Sequence, residues 1–117
     1  MITLYGYKKC GTCRKAEQKL KELGKDYDYV DITEAPPKAE MLQQVAEQAG
    51  VAPEKLFNTS GIQYRELNIK TKLPKLNHEQ MFELLAGSGR LIKRPIVSDG
   101  KRATVGYLEQ VFVKTWN

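Results

Sequence analysis

Between Ile2 and Ile32 the hydrophobic period changes twice, and no other feature of the chain constrains its fold as tightly. Ile2 to Tyr5 is a short β-branched and aromatic run that Gly6 ends, which reads as a strand. From Gly11 the spacing lengthens. Cys13, Ala16, Leu20 and Leu23 recur at helical intervals with Lys and Glu between them, and Gly24 stands where glycine commonly closes a helix. Tyr27 to Ile32 (YDYVDI) returns to strand character. Strand, helix and strand in so short a stretch form a βαβ unit, which makes the two strands parallel and the crossover right-handed.

Further along, Pro36-Pro37 breaks the chain and suits a helix entry. Met41, Leu42, Val45, Ala46 and Ala49 form the apolar stripe of the next helix, which Gly50 ends. Pro53 to Leu56 reads as a short helical turn and Phe57 to Gly61 (FNTSG) as a loop; the pattern over Tyr64 to Leu67 fits either a helix or irregular chain. Asn77 with Gln80 makes a capping pair for a helix carrying Met81, Phe82, Leu84 and Leu85, and Gly87-Ser-Gly89 ends it. Ile96-Val97, the turn signal Asp99-Gly100 and Ala103 to Val105 read as a hairpin. A last helix places Leu108, Val111, Phe112 and Trp116 on one face. The order βαβ…ββα predicts an α/β fold with one four-stranded mixed sheet, and the stretch from about 35 to 90 as a helical insertion beside it.

A chain of 117 residues makes a single domain, 1–117, with a core that needs neither disulfide staples nor a structural metal. Its apolar runs are too short to span a bilayer, and its start has no signal-peptide pattern, so a cytoplasmic location is expected. The net charge of +5 is spread along the sequence and interrupted by acidic residues, so neither direct nucleic-acid binding nor membrane binding is expected. In a reducing compartment the two cysteines, Cys10-Gly-Thr-Cys13, read as chemistry rather than as a permanent cross-link.

Cys10 falls where the first strand gives way to the helix. Unpaired N–H groups and the helix dipole put positive potential there, which favours a thiolate. Lys8, Lys9 and Arg14 stand near it in sequence and add cationic character. Such surroundings lower a cysteine pKa from about 8.5 toward roughly 3.5–7.5. Cys10 is therefore the candidate nucleophile. Cys13, one helical turn on and on the apolar stripe, is the candidate resolving thiol, which would displace a mixed disulfide by closing Cys10–Cys13. Two other readings stand beside this one. A C-x-x-C can be half of a zinc site, but zinc takes four ligands and the chain offers no second cysteine pair and only one histidine, His78, far along the sequence. Cys13 also fits as a small core residue.

Pro95 stands between Lys93-Arg94 and the short strand Ile96-Val97. Lacking an N–H, it belongs at the first position of that strand. It is either an ordinary trans proline or a cis one, a form taken by about 5–6% of X–Pro bonds. Arg94 is either a solvated charge or, beside a thiolate, a clamp for an anion.

Cys10-Gly-Thr-Cys-Arg14, Phe57-Asn-Thr-Ser-Gly61, Tyr64-Arg-Glu-Leu67, Leu91-Ile-Lys-Arg-Pro-Ile-Val97 and Val105-Gly-Tyr107 together resemble the arsenate reductase/Spx family. The resemblance spans nearly the whole chain. It implies a thioredoxin-like core, a cis Arg94–Pro95 bond facing the C-x-x-C, and a substrate site that includes Thr12, Arg14, Arg94 and Pro95. It also implies a monomer with no bound cofactor, recycled by glutathione with glutaredoxin or by thioredoxin. Three readings of function follow. The first is a thiol–disulfide oxidoreductase in which Cys10 and Cys13 are catalytic and the substrate is a thiol or disulfide. The second is an Spx-like redox-sensing regulator that binds the RNA polymerase α subunit; the glycine that meets the polymerase in that branch corresponds to Ala52, and no basic extension follows Asn117. The third is a glutaredoxin-coupled arsenate reductase. It ranks last, because of the three arginines that hold the oxyanion only Arg94 is matched. The other two fall near Asn58 and Val105, neither a cation, and Arg102 is off register.

Overall fold

The computed structural model describes residues 1–117. β1 (Ile2–Gly6), α1 (Gly11–Glu22) and β2 (Tyr27–Asp31) form the predicted βαβ unit. β1 and β2 pair in parallel, with Leu4 beside Tyr29 and Gly6 beside Asp31. β3 (Ile96–Ser98) runs antiparallel to β1, and β4 (Ala103–Val105) antiparallel to β3. The sheet order is β2-β1-β3-β4, so β1, the strand that leads to Cys10, lies in the interior. This is the α/β mixed sheet expected from the sequence.

Between β2 and β3 the chain is helical: α2 (Ala39–Ala49), a 3₁₀ turn Pro53–Leu56, α3 (Ile62–Glu66), α4 (Ile69–Lys72), a 3₁₀ turn Leu73–Lys75, α5 (His78–Gly87) and a 3₁₀ turn Gly89–Leu91. The ambiguous stretch at Tyr64 is thus α3, separated from α4 by Asn68 in the left-handed conformation (φ 54°). α5 opens with the capping box read from the sequence. The Asn77 side chain accepts from the Gln80 N–H at 2.8 Å, and Gln80 Oε1 accepts from the Asn77 N–H at 2.9 Å.

Two cores flank the sheet, and the two-residue period of β3 feeds both. Ile96 packs with Leu42, Leu56, Phe57, Leu85 and Ile92 under the helical insertion. Val97 packs on the other face with Leu4, Ala16, Leu20, Phe112 and Trp116, beneath α1 and α6 (Glu109–Trp116). The buried face of α6 is narrower than its sequence pattern. Phe112 and Trp116 are buried, whereas Leu108 is 72% and Val111 53% exposed. Leu108 precedes the helix in extended backbone, and only the i, i+4 pair points at the sheet. The Trp116 indole N–H donates to Thr104 Oγ1 at 3.1 Å, fixing the depth of insertion. Burial of each aromatic contributes on the order of 1.5–3 kcal/mol.

Gly89 is required by close approach. A Cβ there would overlap the Ile32 carbonyl, so the connection into β3 passes tight against the end of β2. The same connection is stitched to the loop after Leu56. The Asn58 N–H donates to the Leu91 carbonyl and the Lys93 N–H to the Leu56 carbonyl, both at 2.7 Å, around a Phe57–Ile92 bridge. No helix is long and apolar enough to cross a membrane.

Candidate active site

Cys10 is the N-cap residue of α1, with extended backbone (φ −92°, ψ 121°). The first turn of α1 holds no carboxylate, so nothing acidic offsets the positive helix end beside the sulfur. Thr12 Oγ1 lies 3.0 Å from Cys10 Sγ. Burial opposes ionisation of Cys10. Hydrogen bonds from Thr12 and from the Cys13 thiol and N–H, with the Arg94 charge, outweigh it and hold the pKa below that of an ordinary thiol.

Cys13 sits behind it, fully buried on the inner face of α1. Gly6 makes the room, since a Cβ there would stand 3.0 Å from Cys13 Sγ and 2.9 Å from Leu4 Cδ2. Burial, and then the hydrogen bond with Cys10, push the Cys13 pKa up to about 12. One sulfur is thus half-buried and easily ionised, the other enclosed and protonated, one helical turn apart. Both thiols are free in this structure.

The Arg94–Pro95 bond is cis, and the Arg94 carbonyl accepts from Thr12 Oγ1 at 3.4 Å. Continuing the β1–β3 register past Tyr5 and Ile96 sets Arg94 beside Tyr7. The guanidinium stacks over the Tyr7 ring, 5.5 Å from its centroid. Pro95 itself is buried, and its carbonyl accepts from the Gly106 N–H at 2.8 Å.

Cys10, Thr12 and Arg94 open onto one cleft of about 770 Å³. Tyr7 and Thr33 complete its floor, Asn58, Ser60, Gln63 and Glu66 come from the helical insertion, and Arg90 and Lys93 from the connection before Pro95. The structure therefore brings Cys10, Cys13, Thr12, Arg94 and Pro95 together. The Arg14 N–H donates to the Cys10 carbonyl at 3.2 Å, but its side chain turns elsewhere: its Nε donates to the Lys8 carbonyl at 3.0 Å and it does not line the cleft. Lys8 lies over the Tyr29 ring, 4.6 Å from its centroid. The charge that reaches Cys10 comes from Arg94, 84 positions away by the numbering, rather than from the cations next to it in sequence. Asn58 is on the cleft wall; Val105 and Arg102 are not. Arg102 is held by Asp99 at 3.0 Å and by the Thr115 carbonyl at 2.7 Å.

Gln63, Glu66, Arg90 and Lys93 were not legible as site residues. They reach the cleft only because the Phe57–Ile92 bridge folds the insertion against the core, a pairing with no local sequence signal. No cluster of three or more His, Cys, Asp or Glu side chains converges on the two cysteines.

A family model described as the ArsC family matches residues 5–115. The uncharacterized protein YusI of Bacillus subtilis is 48% identical over 115 residues, covering 98% of each chain. The global transcriptional regulator Spx of Listeria innocua is 31% identical over 109 residues, covering 93% of this chain and 82% of that one. The crystal structure of a possible arsenate reductase from Streptococcus mutans superimposes with a TM-score of 0.85 at 42% identity, covering 92% of this chain and 91% of that one.

Proposed function

The chain belongs to the ArsC family, and from that premise we propose that it is a thiol–disulfide oxidoreductase working through Cys10 and Cys13. The observation that carries this reading is the opposed placement of the two sulfurs, one half-buried at the N-cap of α1 and open to the cleft, the other fully buried one turn behind it. The Cys10 thiolate attacks one sulfur of a substrate disulfide. The old S–S bond breaks, and the first substrate thiolate leaves and takes a proton from water. Cys13 then loses its proton and attacks Cys10 Sγ, releasing the second thiol and closing the Cys10–Cys13 disulfide. Two electrons pass from the dithiol to the substrate. An external thiol system, glutathione with glutaredoxin or thioredoxin, returns them in the cytosol.

Two single substitutions test the cycle. Cys10→Ser abolishes disulfide reduction. Cys13→Ser keeps the first attack and accumulates a mixed disulfide on Cys10, visible as an adduct by mass spectrometry. Full turnover by Cys10→Ser protein would sink the assignment.

A second reading draws on the likeness to Spx and on the C-x-x-C. Here the pair is a sensor, and its oxidation locks the first turn of α1 and alters a surface that meets the RNA polymerase α subunit. A pull-down with that subunit, run on reduced and oxidised protein, separates the two: redox-dependent capture without turnover favours the sensor. Arsenate reduction is the least supported role, since Arg94 is the one matched arginine and a neutral Asn58 lies on the cleft wall.

A further inference from the structure

The cleft beside Cys10 has more charge than the thiol chemistry uses. Arg90, Lys93 and Arg94 all line it, and none is within ion-pair distance of a carboxylate, although Asp31 lies near enough to Arg94 to feel its charge. The ion pairs of the molecule are elsewhere, joining Lys19 to Glu22 and Glu109 and Arg102 to Asp99. Against these three cations the cleft sets one carboxylate, Glu66. Arg90 and Lys93 are therefore free to pair with an occupant that carries negative charge.

Size and lining narrow the class. A cleft of about 770 Å³ suits a ligand of many heavy atoms, and an oxyanion would leave most of it to water. The Asn58 and Gln63 amides line the far wall; their oxygens already accept from Ser60 and Ser88, which leaves the NH2 groups to donate to a peptide carbonyl. At the rim, Ile62 is 70% exposed, an apolar contact for an aliphatic side chain. Beside Cys10, the Arg94 carbonyl has only the long 3.4 Å bond from Thr12, which leaves a lone pair for an incoming N–H.

We infer that the substrate sulfur reaches Cys10 as a disulfide-bonded cysteine within an acidic stretch of polypeptide, which Arg90 and Lys93 hold along the cleft. For its chemistry this rests on the oxidoreductase reading; the binding itself does not. Attack by Cys10 frees one half of the disulfide, resolution by Cys13 frees the other as a thiol, and the protein is left oxidised by two electrons.

The probes are three peptides of equal length, each carrying one cysteine as a mixed disulfide with 2-mercaptoethanol and flanked by Asp, Asn or Lys. Reduced protein reacts with them in single turnover. Separately, their binding to Cys10→Ser protein, where no exchange occurs, is followed by fluorescence anisotropy. The Asp peptide is expected to lead the Lys peptide by about tenfold or more in both rate and affinity, the ratio collapsing at 1 M salt, where the Debye length is about 3 Å. Joint Arg90→Glu and Lys93→Glu substitution, at exposed positions, inverts the ranking. Equal rates and affinities, or a ranking that survives the charge reversal, would overturn the inference. So would faster reaction with oxidised glutathione than with the Asp peptide, which would assign the cleft to a small free thiol. Acidic preference in binding without any exchange by the unaltered protein would keep the acidic-peptide site and overturn the disulfide chemistry, and with it the oxidoreductase reading.

Discussion

Thr12 has one hydroxyl hydrogen and two acceptors within reach, the Cys10 sulfur at 3.0 Å and the Arg94 carbonyl at 3.4 Å. With Cys10 protonated, the thiol can donate to Thr12 and Thr12 to the carbonyl. With Cys10 ionised, the hydrogen must turn to the sulfur, because a charge-assisted bond is the stronger. Thr12→Val removes the donor at nearly constant volume. The Cys10 pKa is expected to rise, because the thiolate loses a hydrogen-bond donor, while Thr12→Ser leaves it nearly unchanged. The rate of iodoacetamide alkylation against pH measures both. The unaltered protein is expected to reach its half-maximal rate below the ordinary thiol pKa of about 8.5.

Asp99 shows the same contest in a structural role. Burial opposes its charge, yet the N–H groups of Arg102 and Lys101 and the Arg102 guanidinium bring its pKa down to about 2. Its stabilisation is complete above the unfolded value near 3.9 and fades as pH falls toward about 2. Urea unfolding between those limits is expected to show a loss of stability that Asp99→Asn protein lacks.

At the scale of elements, what could be read from the sequence was what is local. The period changes of β1, α1 and β2, the Asn77–Gln80 cap of α5 and the Asp99-Gly100 turn each carry their signal within a few residues. α6 was half legible: its pattern gave a helix, but which of Leu108, Val111, Phe112 and Trp116 would face the sheet depended on the depth at which Trp116 meets Thr104. Gly89 was read only as a helix terminator. Its stronger constraint is the Ile32 carbonyl, far away in sequence. Gly89→Ala must push β2 and the connection into β3 apart, and overpacking of this kind costs about 1–3 kcal/mol or more. The midpoint of urea unfolding should fall accordingly. Gly87→Ala, where an added Cβ meets nothing within 4 Å, should not lower it.

For the whole molecule, the cluster around the candidate nucleophile was legible and the opposite wall of the cleft was not. C-x-x-C at a strand-to-helix turn pointed to Cys10 and Cys13 without any tertiary information. The substrate wall was hidden because it is assembled from the insertion and from the connection before β3. Those two segments meet through the bonds Asn58–Leu91 and Lys93–Leu56, a contact between stretches more than thirty residues apart that no periodicity announces.

That two-bond seam has a mechanical consequence. It fastens the loop holding Asn58 to the segment that ends in Arg94, so the far bank of the cleft and the cation beside the sulfur travel as one piece. A substitution that loosens this seam is therefore expected to disturb both banks of the groove at once, the wall that carries Asn58 and the backbone that sets Arg94 beside the sulfur.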